Sequence, residues 1–170
     1  MNAMIQFANR VCQKLHDEHQ SNIALLDRLQ RLLARQGTAS PDAADPAVRQ
    51  LLSELATDMA AEVQRHFDFE ERGLFAYLDA AGESAIGAHL IEEHAVLRPL
   101  ISRLAAIARD GVGRSFGEAR WNEFRRLGGE LCERLPAHIQ KEEMALLPVI
   151  EESMDSETEA QLSRDYLENV

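Results

Sequence analysis

Apolar residues recur at three- and four-residue steps over four long stretches of the chain, the mark of amphipathic helices that bury one face. The first runs from about Ile5 to Gln36 and carries Val11, Cys12, Leu15, Ile23, Leu26, Leu29 and Leu33. Gly37-Thr38-Ala39-Ser40-Pro41 ends it in a polar loop. The second opens with Asp45 as N-cap and Pro46 at the first helical position. Leu52, Leu55, Met59, Val63, Leu74 and Leu78 form its stripe, and Ala81-Gly82-Glu83 closes it. The third starts near Ser84, uses Leu90, Leu97, Ile101 and Leu104, and stops at Asp110-Gly111-Val112-Gly113. The fourth runs from near Ser115 to about Glu152, and Pro136 inside it predicts a kink or a short break. Ser156 followed by Glu159 has the capping-box spacing and opens a short last helix, from about Glu157 to Glu168.

Long helices joined by short loops pack as antiparallel neighbours. The expected fold is therefore all-α: an up-down-up-down four-helix bundle over about residues 5–152 with a short C-terminal helix, one domain spanning residues 1–170. No internal repeat, low-complexity tract or long linker is evident in the sequence.

Composition narrows the function. No apolar run is long enough for a membrane span, and Met1 to Arg10 lacks the basic-then-apolar order of a secretion signal. A cytoplasmic location is the default expectation. The formal net charge of -11 repels phosphate backbones and anionic lipid, so neither nucleic acid nor membrane is an expected partner. Cys12 and Cys132 lie far apart and form no CxxC motif, which suits two buried thiols, or a redox pair if their helices face each other.

The six histidines carry more. On the first helix Cys12, His16, His19, Ile23 and Leu26 step by four and three, so both histidines lie on or beside the core face. His66 and Glu70 share the stripe of the second helix, His94 that of the third, and His138 and Glu142 that of the fourth. His89 sits about 140° from His94 around an ideal helix and reads as a surface or boundary residue. A lone histidine on an apolar face is usually a satisfied core residue. Here every helix places one inward, and two helices add a glutamate one turn later. Two unpaired carboxylates in one narrow core would each cost several kcal/mol and would repel each other. Cations between them remove both penalties.

Imidazole with carboxylate suits iron, manganese or zinc. Two carboxylates from different helices can bridge two ions about 3.5–4 Å apart, so the ligand count favours a pair. The ferritin-like di-iron proteins use Glu-x-x-His. This sequence has none. It has His-x-x-x-Glu twice, as His66-Phe67-Asp68-Phe69-Glu70 and His138-Ile139-Gln140-Lys141-Glu142.

Those two segments, with His16-Asp17-Glu18-His19 and Glu92-Glu93-His94, resemble the hemerythrin-like (HHE cation-binding) family over about residues 10–150. The resemblance implies that His19, His66, His94 and His138 are metal ligands and that Glu70 and Glu142 are bridging carboxylates. Glu71 and Glu143 are rotated about 100° from the bridges and read as outer or surface groups. The oxygen-carrying hemerythrins resemble His-x-x-x-His on the third helix, whereas here Leu90 and Arg98 flank His94 at that spacing. His16 is either a seventh ligand that restores a count of five histidines or a core residue. The fourth helix also has His-x-x-x-Glu where the carriers resemble His-x-x-x-x-Asp.

The resemblance implies a non-haem di-iron protein, with zinc or manganese as possible substitutes. It would bind or react with a small oxidant (oxygen, peroxide or nitric oxide) in a sensing or redox role. The alternative is an iron storage, sensing or iron-donating stress-repair protein. A metal-free helical interaction module would need Glu70 and Glu142 in solvent, against their stripe positions. Phe116, Trp121 and Phe124 read as a core cluster at one end of the fourth helix, and Tyr77 as plain packing or a donor near the site.

Overall fold

A computed structural model describes residues 6–168; Ile5, the expected helix start, lies outside them, as do both chain ends of the 1–170 domain. Among the described residues every regular element is helical. Helix α1 spans Arg10–Gln36, capped by the Asn9 side chain, which accepts from the Val11 and Cys12 backbone N–H groups. Gly37 ends it at a φ of 55°, donating its N–H to the Leu33 carbonyl. Helix α2 is Pro46–Ala56, with Asp45 accepting from Ala47 N–H at 2.8 Å as the sequence predicts. Helix α3 is Asp58–Phe69, α4 Phe75–Ala80 and α5 Ser84–Gly111. Helix α6 is Glu118–Lys141, α7 Leu147–Ser153 and α8 Ser156–Glu168.

Neighbouring helices run in opposite directions, because contacting residues on them run in opposite order. Between α1 and α2–α3 the pairs are Arg28 with Glu54, Asn22 with Glu62, and Glu18 with His66. Between α5 and α6 they are Arg103 with Glu123 and Glu93 with His138. Cys132 meets the Leu26 carbonyl, while His19 meets Glu142 beyond the end of α6. Arg109 meets the Ala56 carbonyl and Arg98 meets Asp68, which orients α5 against α2–α3. The core has two apolar layers. One holds Leu29, Leu52, Leu104, Trp121 and Leu131; the other holds Leu15, Leu74, Phe75, Leu90 and Ile150. The inward histidines and glutamates lie between them.

Four features differ from the sequence reading. The second helix breaks at Thr57, whose hydroxyl donates to the Ser53 carbonyl and competes with the helix ladder, while Arg109 takes the Ala56 carbonyl. The fourth helix is not broken at Pro136; α6 continues to Lys141. Its irregularity comes later, as a π turn over Glu142–Leu146, matched by another over Glu70–Leu74. The last helix is capped by Asp155, which accepts from Glu157 and Thr158 N–H, not by a Ser156–Glu159 box. Glu159 instead pairs with Arg10 at the start of α1.

Phe116, Trp121 and Phe124 do cluster, with ring centroids 5.5–5.6 Å apart. The Phe116 ring covers Gly111, where a Cβ would collide with it. Gly111→Ala is therefore expected to cost about 1–3 kcal/mol in urea unfolding by overpacking. A cost near zero would mean that the ring is free to move aside.

Candidate metal centre

Each inward histidine is placed by its helix and oriented by a glutamate. His19 Nδ1 donates to Glu143 at 2.6 Å and His66 Nδ1 to Glu18 at 2.9 Å. His94 Nδ1 donates to Glu71 and His138 Nδ1 to Glu93, both at 2.8 Å. A proton held on Nδ1 leaves the lone pair on Nε2, and in all four rings Nε2 faces the bundle axis.

The Nε2 atoms come in two pairs. His19 and His66 approach to 3.2 Å, His94 and His138 to 3.1 Å. Two ligands each about 2.1 Å from one ion, at right angles, would stand about 3 Å apart. Glu70 and Glu142 lie between the pairs with no solvent exposure. Glu142 is 2.9 Å from His19 Nε2 and 2.8 Å from His138 Nε2; Glu70 is 3.3 Å from His66 and 3.4 Å from His94. Despite these distances no N–H is aimed at them, and all four carboxylate oxygens lack a hydrogen-bond partner. Two buried groups of ligand atoms result, each within 4.8 Å: His19, His66, Glu70 and Glu142, and Glu70, His94, His138 and Glu142. They share both carboxylates. Facing acceptors with nothing between them are costly, and a cation in each group fits them.

The sequence model of the hemerythrin HHE cation-binding domain matches residues 11–150, and again residues 88–168. The chain belongs to the hemerythrin HHE cation-binding family. Neither the curated proteins nor the solved structures give a significant match. No helix among the described residues is long and apolar enough to cross a membrane.

This HHE domain carries an internal repeat at its centre, contrary to the sequence reading. Glu18-His19 recurs as Glu93-His94, and His66…Glu70-Glu71 as His138…Glu142-Glu143. The contacts recur too: Glu18 serves His66 as Glu93 serves His138, and Glu143 serves His19 as Glu71 serves His94. Both π turns start at the inward glutamate, so the carbonyls of Glu70 and Glu142 accept from the N–H five residues on. Too few residues repeat, across segments of unequal length, for a period to show in the hydrophobic pattern.

Glu18 and Glu93 are the functional residues that sequence reasoning missed. Each lies beside an inward histidine, rotated about 100° toward the next helix, where it finds that helix's histidine. That adjacency was the available signal. Glu71 and Glu143 do sit outside the two groups, orienting His94 and His19.

His16 is not brought into either group. Its Nδ1 donates to Glu143 at 2.9 Å and its ring meets Phe7 edge-on, so it belongs to the layer behind His19. Of the two positions flanking His94 at the carriers' spacing, Leu90 is a buried core residue and Arg98 donates to Glu71 at 2.9 Å. His89 is exposed beside Lys141 and Glu93. Tyr77 donates to the Ser153 carbonyl at 2.8 Å, away from the histidines. The cysteines are free and on different levels, Cys12 against Leu147 and Cys132 against Leu26. Burial pushes their thiols up to about 12 and about 11, which makes both poor nucleophiles.

The electrostatics agree with a cation site. Burial alone would lower His19, His66 and His138, yet their glutamate partners outweigh it and hold all three above the usual imidazole value. Burial would likewise raise Glu142, but His138, His19 and His94 hold it well below the usual carboxylate range. Cations between these groups would take the place of protons, so metal uptake releases protons. Burial also opposes charge on Glu18, and bonds from His66 and Tyr166 bring it down to about 2. Because Glu18 fixes the His66 ring, Glu18→Gln is expected to weaken metal binding about 10–100-fold while the bundle stays folded. A chelator-competition titration measures this; unchanged affinity would mean that His66 needs no orienting carboxylate.

Proposed function

We propose that this chain is a non-haem di-iron protein whose centre binds or reacts with a small oxidant, dioxygen, peroxide or nitric oxide, in a sensing or redox role. The observation that carries this reading is the pair of fully buried, unpartnered carboxylates, Glu70 and Glu142, set between two pairs of oriented imidazoles. His19 and His66 would hold one ion, His94 and His138 the other, and Glu70 and Glu142 would span both. The mixed nitrogen and oxygen set suits iron and would also accept zinc or manganese. A bound iron pair would supply redox electrons and coordination positions left free by the protein.

The chain's own residues do the rest. Val63, Phe67, Leu135 and Ile139 exclude bulk water from the His19–His66 side of the centre. The four outer glutamates fix each ring on its Nδ1, so the Nε2 lone pairs stay aimed inward. That tethering favours ions that are kept over iron that is donated, because the ligand set stays oriented for rebinding.

The first test is elemental analysis of the purified protein, with absorption spectra before and after reduction and re-exposure to air. About two irons per chain, with near-ultraviolet bands that bleach and return, are the expected outcome. Only traces of metal after anaerobic iron loading would overturn the reading.

A further inference from the structure

The geometry points to Asn22 as the gate through which an uncharged diatomic molecule reaches the centre, and the inference rests on the di-metal reading above. A void of about 10 Å³ lies within the centre, lined by His19, His66, His138 and Glu142 and closed by apolar Val63, Phe67, Leu135 and Ile139. A space of this size holds about one water-sized molecule. Its small volume suits dioxygen or nitric oxide and excludes organic peroxides.

Outside it, between α1 and the α2–α3 run, a groove of about 300 Å³ is edged by Leu25, Arg28, Met59 and Glu62. Asn22 lines both spaces. It is 94% buried, since only 6% of its surface is exposed, and its amide donates to Glu62 over a long 3.5 Å. A bond this long is weak, so Glu62 holds the amide only loosely. Its counterpart in the internal repeat, three residues after His94 as Asn22 is three after His19, is Leu97, which is apolar and buried. The polar residue is therefore particular to one half.

A larger groove of about 650 Å³ between α5 and α6 also touches the wall of the void, at His138. His138 cannot swing aside, because Glu93 holds its Nδ1 at 2.8 Å and the ring is buried against Phe67 and His94. Leu97 packs behind it in the core. Asn22 is held by neither a carboxylate at short range nor a role in orienting a histidine. Rotation of its side chain joins the α1–α3 groove to the void.

The test compares Asn22→Leu, Asn22→Ala and, on the opposite side, Leu97→Val. Stopped-flow mixing of nitric oxide with the anaerobically iron(II)-loaded chain reads the association rate. Asn22→Leu should slow it about tenfold and Asn22→Ala speed it severalfold, with Leu97→Val within about twofold of native. Iron content and thermal midpoint should be unchanged by Asn22→Leu. A second readout needs no iron: in the diamagnetic chain, zinc-filled or metal-free, dissolved dioxygen under pressure perturbs the methyl resonances of Val63, Leu135 and Ile139. That perturbation should fall in Asn22→Leu. Native behaviour of Asn22→Leu in the dioxygen readout, or faster uptake through Leu97→Val, would overturn the gate. Failure to load iron would count against the di-iron reading alone, since the methyl signals still decide the gate.

Discussion

Glu142→Gln is expected to leave the chain with one bound metal ion or fewer where the proposed di-metal centre would hold two. Glu142 belongs to both groups of ligand atoms and is approached by three histidines, His19, His138 and His94. An amide of the same shape keeps the packing of the α6–α7 junction but removes a charge from both positions at once. Outer partners of metal ligands are worth about 10–100-fold in affinity. A shared ligand should exceed that, so the loss should reach at least about 100-fold, or about 2.8 kcal/mol. Anaerobic cobalt(II) titration followed by absorption reads both the stoichiometry and the affinity. Two ions at native affinity would show that Glu142 bridges nothing. By the internal repeat, Glu70→Gln should behave alike, since Glu70 stands in the same relation to His66 and His94.

Trp121→Ala should destabilise the bundle strongly and leave the metal alone. The indole has no exposed surface, stacks on Phe124 at 5.6 Å, and donates Nε1–H to the Gly37 carbonyl at 3.1 Å. Truncation opens a cavity and strands that carbonyl, at a cost of about 3–5 kcal/mol. For a chain of this size that is a fall in Tm of about 6–20 °C. Trp121 and His138 are both on α6, about 25 Å apart along its axis. Metal content at saturation should therefore match the native protein. A drop below about 1 kcal/mol would mean that the aromatic cluster repacks, and loss of metal with the indole would mean that the two ends of the bundle are coupled.

Much of this was legible in the sequence. Apolar steps of three and four located the helices, Asp45-Pro46 located a helix start, and the stripe positions of His19, His66, His94, His138, Glu70 and Glu142 placed them on inner faces. The rest escaped for physical reasons. A stripe is read against an ideal 3.6-residue turn, so a π turn that inserts a residue at Glu70 or Glu142 leaves no trace in the local pattern. Thr57 breaks a helix through a hydroxyl bond that depends on its rotamer. Glu18 and Glu93 lie off the stripe and look solvated until the neighbouring helix brings its histidine to them. His16 lies on the stripe, yet three residues before His19 it lands one layer out, on Glu143.

The internal repeat also says how the centre divides along the chain. The hairpin that ends at Ala80 supplies both histidines of one group and one shared carboxylate, and the hairpin that begins at Ser84 supplies the same set for the other. Neither hairpin closes a group alone, because each needs the other's glutamate. At its centre the bundle is a dimer of helical hairpins whose two subunits happen to be joined, through the loop at Gly82, into one chain. The tether holds the second hairpin at high effective concentration, so assembling the ligand set does not depend on how much protein is present.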